Sequence, residues 1–433
     1  MYHFIGIKGS GMASLAEIVA DRGETVTGSD IEKYIFTQKP LEERGIVITP
    51  FDEANIKSNM TVIIGNAFDD TNVEVAKAKS MQDVTCYYYH EFLGKLLEDY
   101  LSISVAGTHG KTTTTGLLSH VLANVAPTGY LIGDGSGKMP KDSRYFVLES
   151  CEYQRHFMAY HPDYAMITNI ELDHVDYYPT LEEYRQAFED FANQVKKGVV
   201  LFGDDENVRM LNVHTNHLYY GLHDGNDVQA KHIVEREDGT AYDVYVHGTL
   251  FGHFDFPFVG KPLIWNSLGV IAIGVMEGLS AELLQDAIAS FGGVKRRFII
   301  EENGDNVYID DYAHHPTAIK YMIEAARTKY PNQKVIAIFK PDRYSRIYYF
   351  MDRFAEELSK ADEVFLCHFP ENAAKEDGID ITIHDLAKLI DGAYVTAEDE
   401  ESAKLLASHG PAVYLFMSSK DIYKFKNKVK NFH

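Results

Sequence analysis

Apolar residues are distributed along the chain in two patterns. Largely apolar runs at residues 2–7, 145–148, 164–169 and 335–339 are typical of strands buried on both faces. Between such runs apolar residues recur every three or four positions, as in residues 181–195, which predicts helices with one face in the core. Strands that alternate with helices predict parallel sheets covered on both faces, and therefore an α/β protein.

The pattern divides into three successive parts. A first domain is expected over residues 1–100, a central domain over residues 101–293 and a third domain over residues 294–433. Residues 228–259 show strand alternation with turn signals such as Asp238-Gly239, which predicts a small antiparallel sheet beside the mostly parallel central sheet. The predicted fold is α/β in three domains, Rossmann-like in the first and third and phosphate-binding in the centre.

The composition indicates a globular protein in a reducing compartment. The 433 residues are 45% hydrophobic, and their net charge of −23 argues against non-specific nucleic-acid binding. Cys86, Cys151 and Cys367 lie far apart without metal-binding spacing. The N-terminus lacks a signal-peptide pattern, and the longest apolar segment, residues 263–279, is too short and too polar to span a bilayer. We therefore expect a cytoplasmic protein with no membrane or nucleic-acid partner.

A glycine-rich loop between a strand and a helix carries the clearest chemical signal. Residues 104–115 read SVAGTHGKTTTT. The loop N–H groups and the helix N-terminus would cradle phosphate oxygens, Lys111 would reach a terminal phosphate, and the Thr112 hydroxyl would bind Mg²⁺. Val105 stands where the general P-loop pattern has glycine, so this loop is a shortened variant. The alternative is a glycine turn that only joins strand to helix.

A second glycine turn lies near the N-terminus. Residues 6–12 read GIKGSGM after the first strand, and the next strand ends at Ser29 and Asp30. A strand, a glycine turn, a helix and a second strand ending in an acidic residue form the Rossmann nucleotide-binding pattern. Because glycines also serve ordinary tight turns, a purely structural role is the alternative.

Candidate metal ligands follow two strands of the central domain. Glu149 ends one strand, and His174 follows another within ELDHVD. Ligands gather at the carboxyl ends of parallel strands, so both residues are candidates for Mg²⁺ binding. The alternatives are a solvated strand-end charge and a structural turn histidine. For His314 and His315, packing or hydrogen bonding is favoured over joint metal binding, because adjacent side chains at a strand end point to opposite sides.

Arginines mark two segments of the third domain. Arg296 and Arg297 precede a strand and would clamp a phosphoryl group or a carboxylate, although a basic surface pair is the alternative. Residues 340–346 read KPDRYSR after another strand, so Arg343 and Arg346 belong to a carboxyl-end loop suited to an anionic group.

Together these motifs resemble the Mur ligase family. The resemblance runs from end to end, and its motifs occur in the family's order: GIKGSGM, GSD, AGTHGKTTTTGLLSHVL, TNIELDHVDYY, GGVKRRF, DDYAHHP and FKPDRYSR. A short GTxGKT loop is a trait of that family, which accounts for Val105.

The resemblance implies an ATP-dependent ligase of peptidoglycan precursor synthesis. The γ-phosphate of ATP would pass to the carboxylate of UDP-N-acetylmuramate, and the amine of L-alanine would then attack the acyl phosphate and release phosphate. Catalysis would rest mainly on positioning and charge stabilisation. A monomer or a weak homodimer is expected.

The resemblance also implies roles for individual residues. The catalytic residues would be Lys111, Glu149, His174 and Arg297. ATP would be held by Gly107, Thr108, His109, Gly110, Lys111, Thr112, Thr113, Asn266, Arg297 and Asp311. The Mg²⁺ ligands would be Thr112, Glu149 and His174. The UDP part would be held by Gly9, Ser10, Gly11, Ser29 and Asp30. The amino-acid site would lie near His315, Arg343 and Arg346.

The chain departs from the family pattern at several places. Pro262-Leu263 replace a usual His-Asn pair, although Asn266 remains. Cys151 stands where aspartate is common, Lys340 and Asp342 depart from an FQPHRYSR-like stretch near the amino-acid site, and Ser418-Ser419 replace part of a GAGD-like stretch.

These departures leave two alternatives open. One is a related ligase that joins a recycled peptide to UDP-N-acetylmuramate. The other is a non-catalytic paralogue that binds a UDP-sugar or a nucleotide. The retained Lys111, Glu149, His174 and Arg297 argue against the second alternative.

Overall fold

A computed structural model describes residues 1–294, 297–370, 373 and 378–433. Three sheets follow one another along the described chain, each with helices packed on it. The α/β class and the alternation of strands and helices that the sequence predicted are therefore confirmed.

The first sheet is entirely parallel, with strand order β3-β2-β1-β4-β5. Its strands are β1 (Tyr2–Ile5), β2 (Val26–Ser29), β3 (Val47–Thr49), β4 (Thr61–Ile64) and β5 (Thr85–Tyr88). Its helices are α1 (Ser10–Asp21), α2 (Gln38–Glu43), α3 (Val73–Ser80) and α4 (Tyr89–Leu97). The first glycine turn thus joins β1 to α1, as the Rossmann pattern predicts.

The second sheet has ten strands, in the order β15-β14-β13-β12-β11-β10-β6-β9-β7-β8. Its strands are β6 (Leu101–Ala106), β7 (Thr128–Ile132), β8 (Ser136–Lys138), β9 (Tyr145–Glu149), β10 (Tyr164–Ile167), β11 (Gly198–Phe202), β12 (His217–Gly221), β13 (Val228–Arg236), β14 (Gly239–Val246) and β15 (Thr249–Phe256). Its helices are α5 (Lys111–Ala123), α6 (Leu181–Asn193), α7 (Glu206–Arg209), α8 (Lys261–Met276) and α9 (Ala281–Ala289).

The antiparallel strands of this region are continuous with the central sheet. β13 pairs in parallel with β12, and β14 and β15 then add antiparallel strands at the same edge. The alternation in residues 228–259 predicted the strands and turns correctly, but a strand pattern does not reveal which neighbouring edge accepts the first strand.

The third sheet has the order β16-β17-β21-β18-β19-β20 in the described part of the chain. Its strands are β16 (Ile299–Asn303), β17 (Asn306–Asp311), β18 (Val335–Phe339), β19 (Glu363–Cys367), β20 (Tyr394–Thr396) and β21 (Val413–Met417). Its helices are α10 (Pro316–Lys329), α11 (Tyr344–Leu358), α12 (Ile383–Ala387), α13 (Glu400–Ala407) and α14 (Tyr423–Lys430). All its strand pairs are parallel except β16 with β17.

The first two sheets share a hydrophobic core. Leu15 of α1 and Leu96 of α4 belong to the same buried cluster as Phe157, Tyr184 and Phe188 of the central region. Removing this apolar surface from water favours a fixed arrangement of the two units. In the described part of the chain, no helix combines the length and apolarity needed to cross a bilayer.

The order of the central strands determines where the functional loops meet. β6 lies between β9 and β10, and all three run parallel. The loop after β6, Glu149 at the end of β9 and the segment after β10 therefore lie at one edge of the sheet, which is the edge where ligands bind in open α/β folds.

Candidate active site

A cleft of about 290 Å³ lies where the three units meet. We call it the central cleft. The N-terminal unit contributes Ser10 and Phe36 to its lining, and the third unit contributes Arg297 and the turn from Tyr312 to His315. The central unit contributes Thr108, His109, Gly110, Lys111, Thr112, Gly133, Asp134, Glu149, Glu152, Asp173 and His174. Most of the chemical candidates named from the sequence thus face one space.

Two glycines allow the phosphate loop to lie close to its neighbours. Gly107 and Gly110 have φ angles of +134° and +83°, which favour glycine. A Cβ atom at Gly107 would lie 2.1 Å from Thr168 Oγ1, and one at Gly110 would lie 2.9 Å from Asn266 Oδ1. Asn266 on α8 therefore lies against the N-terminus of α5, the end of a helix whose backbone N–H groups can bind an anion.

Other loop residues are fastened to the segment after β10. The Thr108 hydroxyl donates to the Glu171 carbonyl at 2.9 Å and accepts from the Glu171 N–H at 3.0 Å. The His109 N–H donates to Asn169 Oδ1 at 2.8 Å. The loop is thus held in place before any ligand arrives.

The Thr112 hydroxyl and the Glu149 carboxylate lie together at the start of α5. Thr112 Oγ1 is 3.2 Å from Glu149 Oε1, and the other carboxylate oxygen accepts the Gly133 N–H at 2.8 Å. Hydroxyl and carboxylate oxygens are the ligands that Mg²⁺ prefers, so this pair fits a Mg²⁺ ion. His174 lines the same cleft, and its Nδ1 has no hydrogen-bond partner among the described residues.

Lys111 and Glu152 form a buried ion pair below the loop. Lys111 Nζ lies 3.0 Å from Glu152 Oε2 and also donates to the carbonyls of Gly107 and Thr108. Burial acts to raise the pKa of Glu152, but the charge of Lys111 and the hydrogen bond from His174 outweigh burial and lower that pKa. Burial acts to lower the pKa of Lys111, and Glu152 and Glu149 outweigh it and raise that pKa. Both groups are therefore charged at neutral pH.

Arg297 extends from the third unit to the phosphate loop. Its Nη2 donates to Thr112 Oγ1 at 3.0 Å, and its guanidinium lies 4.8 Å from the centre of the Tyr312 ring. Asp311 accepts the N–H groups of Phe298 and Ala313 at 2.9 and 2.7 Å, and burial raises its pKa. Asp311 thus holds the backbone of Phe298, which follows Arg297, and that of Ala313 in the turn lining the central cleft. Arg296 lies outside the described residues.

A second, apolar cleft of about 130 Å³ adjoins the phosphate loop. Gly110, Thr113, Asn266, Arg297 and Asp311 form its polar part. Its apolar walls include Phe258, Leu263, Phe291, Val294, Phe298, Tyr321 and Met322. A flat aromatic base fits such walls, and the phosphate loop lies at the cleft's end.

The N-terminal candidates separate into two groups. Ser10 is exposed at the central cleft, and Gly11 lies against Tyr89, whose hydroxyl would be 2.9 Å from a Cβ atom there. Ser29 is fully buried and donates its hydroxyl to Glu74. Asp30 accepts the N–H groups of Lys8 and Ile31, both at 2.7 Å, and Gly9 caps α1. The turn is therefore ordered, but the structure does not bring the Ser29 side chain to the cleft.

Comparisons with known proteins show which family has this arrangement of domains. Residues 1–101 match the catalytic domain of the Mur ligase family, residues 105–274 the Mur ligase middle domain, and residues 295–419 the Mur ligase glutamate ligase domain. The curated UDP-N-acetylmuramate–L-alanine ligase of Lactiplantibacillus plantarum is 49% identical over 427 residues, which are 98% of this chain and 97% of that protein. The chain belongs to the Mur ligase family.

The folds of two solved structures match the fold of this Mur ligase over its whole length. The UDP-N-acetylmuramate–alanine ligase of Thermotoga maritima superposes with a TM-score of 0.80 at 26% identity, covering 100% of this chain and 98% of that one. The murein peptide ligase of Psychrobacter arcticus has the same fold, with a TM-score of 0.71 at 23% identity, covering 100% of this chain and 98% of that one.

The two arginines of the KPDRYSR loop differ in environment in this Mur ligase. Arg346 is buried between Asp173 and Asp342, with nitrogen–oxygen distances of 3.1 and 2.7 Å. Arg343 is more exposed, lies 3.6 Å from Asp176, and packs over the Tyr153 ring. Arg346 already has two carboxylate partners and joins the third unit to the central one, whereas Arg343 is the more accessible cation.

The two adjacent histidines both line the central cleft but have different neighbours. His314 Nδ1 lies 2.8 Å from the Tyr312 carbonyl, and burial lowers the pKa of its ring to about 4. His315 is only 1% exposed and faces His109 and Glu171, and burial lowers its pKa well below the ordinary value. Both rings are therefore neutral near pH 7.

Three acidic residues of the site were not selected from the sequence. Glu152 pairs with Lys111, and Asp173 pairs with Arg346. The Glu171 carboxylate lies 2.7 Å from His109 Nε2. Each of the three follows a strand that ends at the ligand-binding edge of the sheet, which was the available signal. Their partners lie 41 to 173 positions away in the sequence, so only the fold reveals the pairs.

Proposed function

We propose that this Mur ligase joins L-alanine to the carboxylate of UDP-N-acetylmuramate and uses ATP to do so. The observation that carries the proposal is that the Thr112 hydroxyl lies between Glu149 and Arg297, beside the phosphate loop. The identity of 49% with an alanine ligase over nearly the whole chain supports the choice of substrates.

The reaction needs an activated carboxylate, because a free carboxylate is a poor electrophile. Transfer of the γ-phosphoryl group gives an acyl phosphate and ADP. The amine of alanine then attacks the carbonyl carbon, and inorganic phosphate leaves with one of the original carboxylate oxygens. The protein's task is to align these groups, to stabilise charge and to exclude water.

The phosphate loop would bind the phosphates of ATP through Gly107, Thr108, His109, Gly110 and Thr113. Lys111 would turn from the loop carbonyls toward the terminal phosphate, and Arg297 would neutralise charge as it develops there. The apolar cleft beside Gly110 supports binding of the adenine base, with Asn266 and Asp311 at its polar side.

Thr112 and Glu149 would hold Mg²⁺, with His174 as a further ligand. Bound Mg²⁺ supplies positive charge that offsets the negative charge of the phosphates. The buried charge of Glu152 holds Lys111 and His174 in position, so Glu152 is a positioning residue.

The remaining substrates would occupy the other two sides of the central cleft. Gly9, Ser10 and Gly11 at the start of α1 would receive the UDP part, with Ser29 and Asp30 shaping the turn from behind. Arg343, the more exposed cation of its loop, would bind the amino-acid carboxylate, with Arg346 and His315 behind it. We assign residues 1–100, 101–293 and 294–433 to the UDP substrate, ATP and the amino acid, respectively.

A ligase that adds a recycled peptide remains the second candidate. Asp342 favours it, because this carboxylate lies 2.7 Å from Arg346 and adds a negative charge to the loop that we assign to the amino acid. The non-catalytic alternative is weaker, because a binding protein has no need of Lys111, Glu149 and Arg297 at one point.

An amino-acid screen tests the proposal. Purified protein with ATP, Mg²⁺ and UDP-N-acetylmuramate should release phosphate with L-alanine and much more slowly with glycine, L-serine or the tripeptide. Preference for the tripeptide would favour the recycling ligase. No phosphate release with any amine would support the non-catalytic paralogue.

A further inference from the structure

His315 is a buried histidine whose approach to a carboxylate, that of Glu171, is 3.8 Å and too long for a hydrogen bond. Its side chain is 1% exposed, and neither ring nitrogen has a hydrogen-bond partner among the described residues. Phe350 packs on the ring edge to face, with 5.1 Å between ring centres. Burial of an unpaired polar group is costly, so an unpaired imidazole in a closed position calls for an explanation.

Two further donor groups face the same space. Glu171 Oε2 lies 2.7 Å from His109 Nε2 and 3.8 Å from His315 Nδ1. One donor atom from each of the three residues lies within 4.8 Å of the other two. His109 belongs to the phosphate loop, Glu171 follows β10, and His315 precedes α10, so three separate parts of the chain converge here.

We propose that His109, Glu171 and His315 bind a transition-metal ion of the zinc class, at a site separate from the proposed Mg²⁺ ligands. Two imidazoles and one carboxylate are a donor set that suits Zn²⁺, with the fourth position left for water or another ligand. Mg²⁺ prefers oxygen donors, and this site offers few of them. Ligand bonds of about 2.0–2.2 Å would need only small side-chain rotations from the present spacing.

The surroundings of Glu171 support this assignment. Its other oxygen, Oε1, accepts from Thr317 at 2.8 Å and from Arg353 at 2.7 Å. These bonds direct Oε2 toward the two imidazoles, in the way that outer hydrogen bonds orient metal-binding carboxylates. The fourth position of the ion would face the central cleft, because His109 and His315 both line it.

A bound ion would connect the phosphate loop to the third unit. It would join His109, which is next to the phosphate-binding glycine Gly110, to His315 at the start of α10. The site is therefore placed to hold these two units together. This inference concerns ion binding by the three residues and does not depend on which amine the enzyme uses.

Titration with Co²⁺ and then Zn²⁺ tests the proposal on the full-length, nucleotide-free protein. Millimolar Mg²⁺ is present throughout to fill sites built from oxygen ligands. We expect one equivalent of Co²⁺ per chain with the visible absorption of a four-coordinate ion, and displacement by one equivalent of Zn²⁺. Absence of such a site, or a spectrum typical of six water or carboxylate oxygens, would overturn the proposal.

Matched variants locate the ion. Glu171→Gln and His315→Gln should each weaken Zn²⁺ binding by more than about tenfold. His253→Gln is the control, because His253 is an exposed histidine that is also bonded to a carboxylate, that of Asp243 at 2.8 Å. The control should bind like the wild type. Circular dichroism identifies a variant that has unfolded, and the other variant then decides. Unchanged affinity in a folded variant, or loss of the site in His253→Gln, contradicts the assignment.

Discussion

Arg297 Nη2 donates a hydrogen bond of 3.0 Å to Thr112 Oγ1 and thereby joins the third unit to the first residues of α5. The two residues are 185 positions apart in the sequence. Thr112 in turn lies 3.2 Å from Glu149, so a cation, a hydroxyl and a carboxylate from three separate parts of the chain meet at one point. A phosphoryl group placed there would have the charge of Arg297 on one side and the proposed Mg²⁺ ligands on the other.

Removal of Arg297 should slow phosphoryl transfer strongly. Arg297→Ala should reduce kcat by about 10² to 10³-fold, because a charge that stabilises the transferring group is lost. Arg297→Lys should recover only part of this loss, since lysine keeps the charge but not the planar fork of donors. The measurement is steady-state phosphate release. Arg236→Ala is the control, because Arg236 is an exposed arginine paired with Asp255, far along the sheet on β13. Equal rates for Arg297→Ala and this control would refute the role of Arg297.

The Lys111–Glu152 pair should matter for stability as well as for catalysis. Lys111→Met leaves the Glu152 carboxylate buried without its cationic partner, beside His174 Nε2 and the Tyr184 hydroxyl at 3.4 Å each, and should lower the free energy of unfolding by about 3 kcal/mol. Adding Glu152→Gln removes the uncompensated charge and should restore most of that stability, while phosphate release stays absent. Urea unfolding measures both effects.

The control for this prediction is an exposed ion pair. Lys79→Met, which breaks the exposed pair with Asp70, should lower the free energy of unfolding by less than about 1 kcal/mol. A double variant no more stable than Lys111→Met would contradict the buried-pair interpretation.

Gly110 should tolerate no side chain. Gly110→Ala meets both an unfavourable φ of +83° and the Asn266 amide oxygen at 2.9 Å, so the phosphate loop must shift. We expect loss of ATP binding, measured by isothermal titration calorimetry. Gly225→Ala is the matched control, because Gly225 has a φ of +90° with no atom within 4 Å of the added Cβ. The control should lose about 1 kcal/mol of stability and keep ATP binding. Normal ATP affinity in Gly110→Ala would show that the loop is not packed as described.

Asp342 should stabilise the fold in a pH-dependent manner. Burial acts to raise its pKa, but Arg346 outweighs burial and lowers the pKa from 3.8 to about 2. A lowered folded-state pKa gives stability that is complete above about pH 5 and is lost as the pH falls toward 2. The difference in unfolding free energy between the wild type and Asp342→Asn should therefore narrow by about 1 kcal/mol between pH 6 and pH 3. Urea unfolding at these two pH values measures it, and a constant difference would argue against the shift.

The sequence predicted those features that depend on neighbouring residues. The glycine loop, the strands at Val335–Phe339 and Glu363–Cys367 and the strand that ends at Glu149 follow from apolar runs and turn residues. The convergence of Glu149 with Thr112 also followed, because carboxyl ends of parallel strands share one edge of a sheet.

Long-range pairing could not be predicted in the same way. Arg346 was expected to bind an external anion, yet the fold pairs it with Asp173, from a loop 173 positions earlier. Ser29 was expected at the UDP site, yet its hydroxyl turns to Glu74. In both cases a polar group finds an internal partner whose position depends on how the helices and sheets pack, and no local pattern carries that information.

Transfer of an oxygen atom tests the central claim most directly. UDP-N-acetylmuramate labelled with ¹⁸O in its carboxylate is incubated with ATP, Mg²⁺, L-alanine and the enzyme, and the released phosphate is analysed by mass spectrometry. Because the carboxylate oxygen attacks the γ-phosphorus and later leaves with the phosphate, each phosphate should carry one ¹⁸O atom. Phosphate without the label would mean that ATP is hydrolysed by water, and would contradict the assignment of this site to acyl-phosphate chemistry.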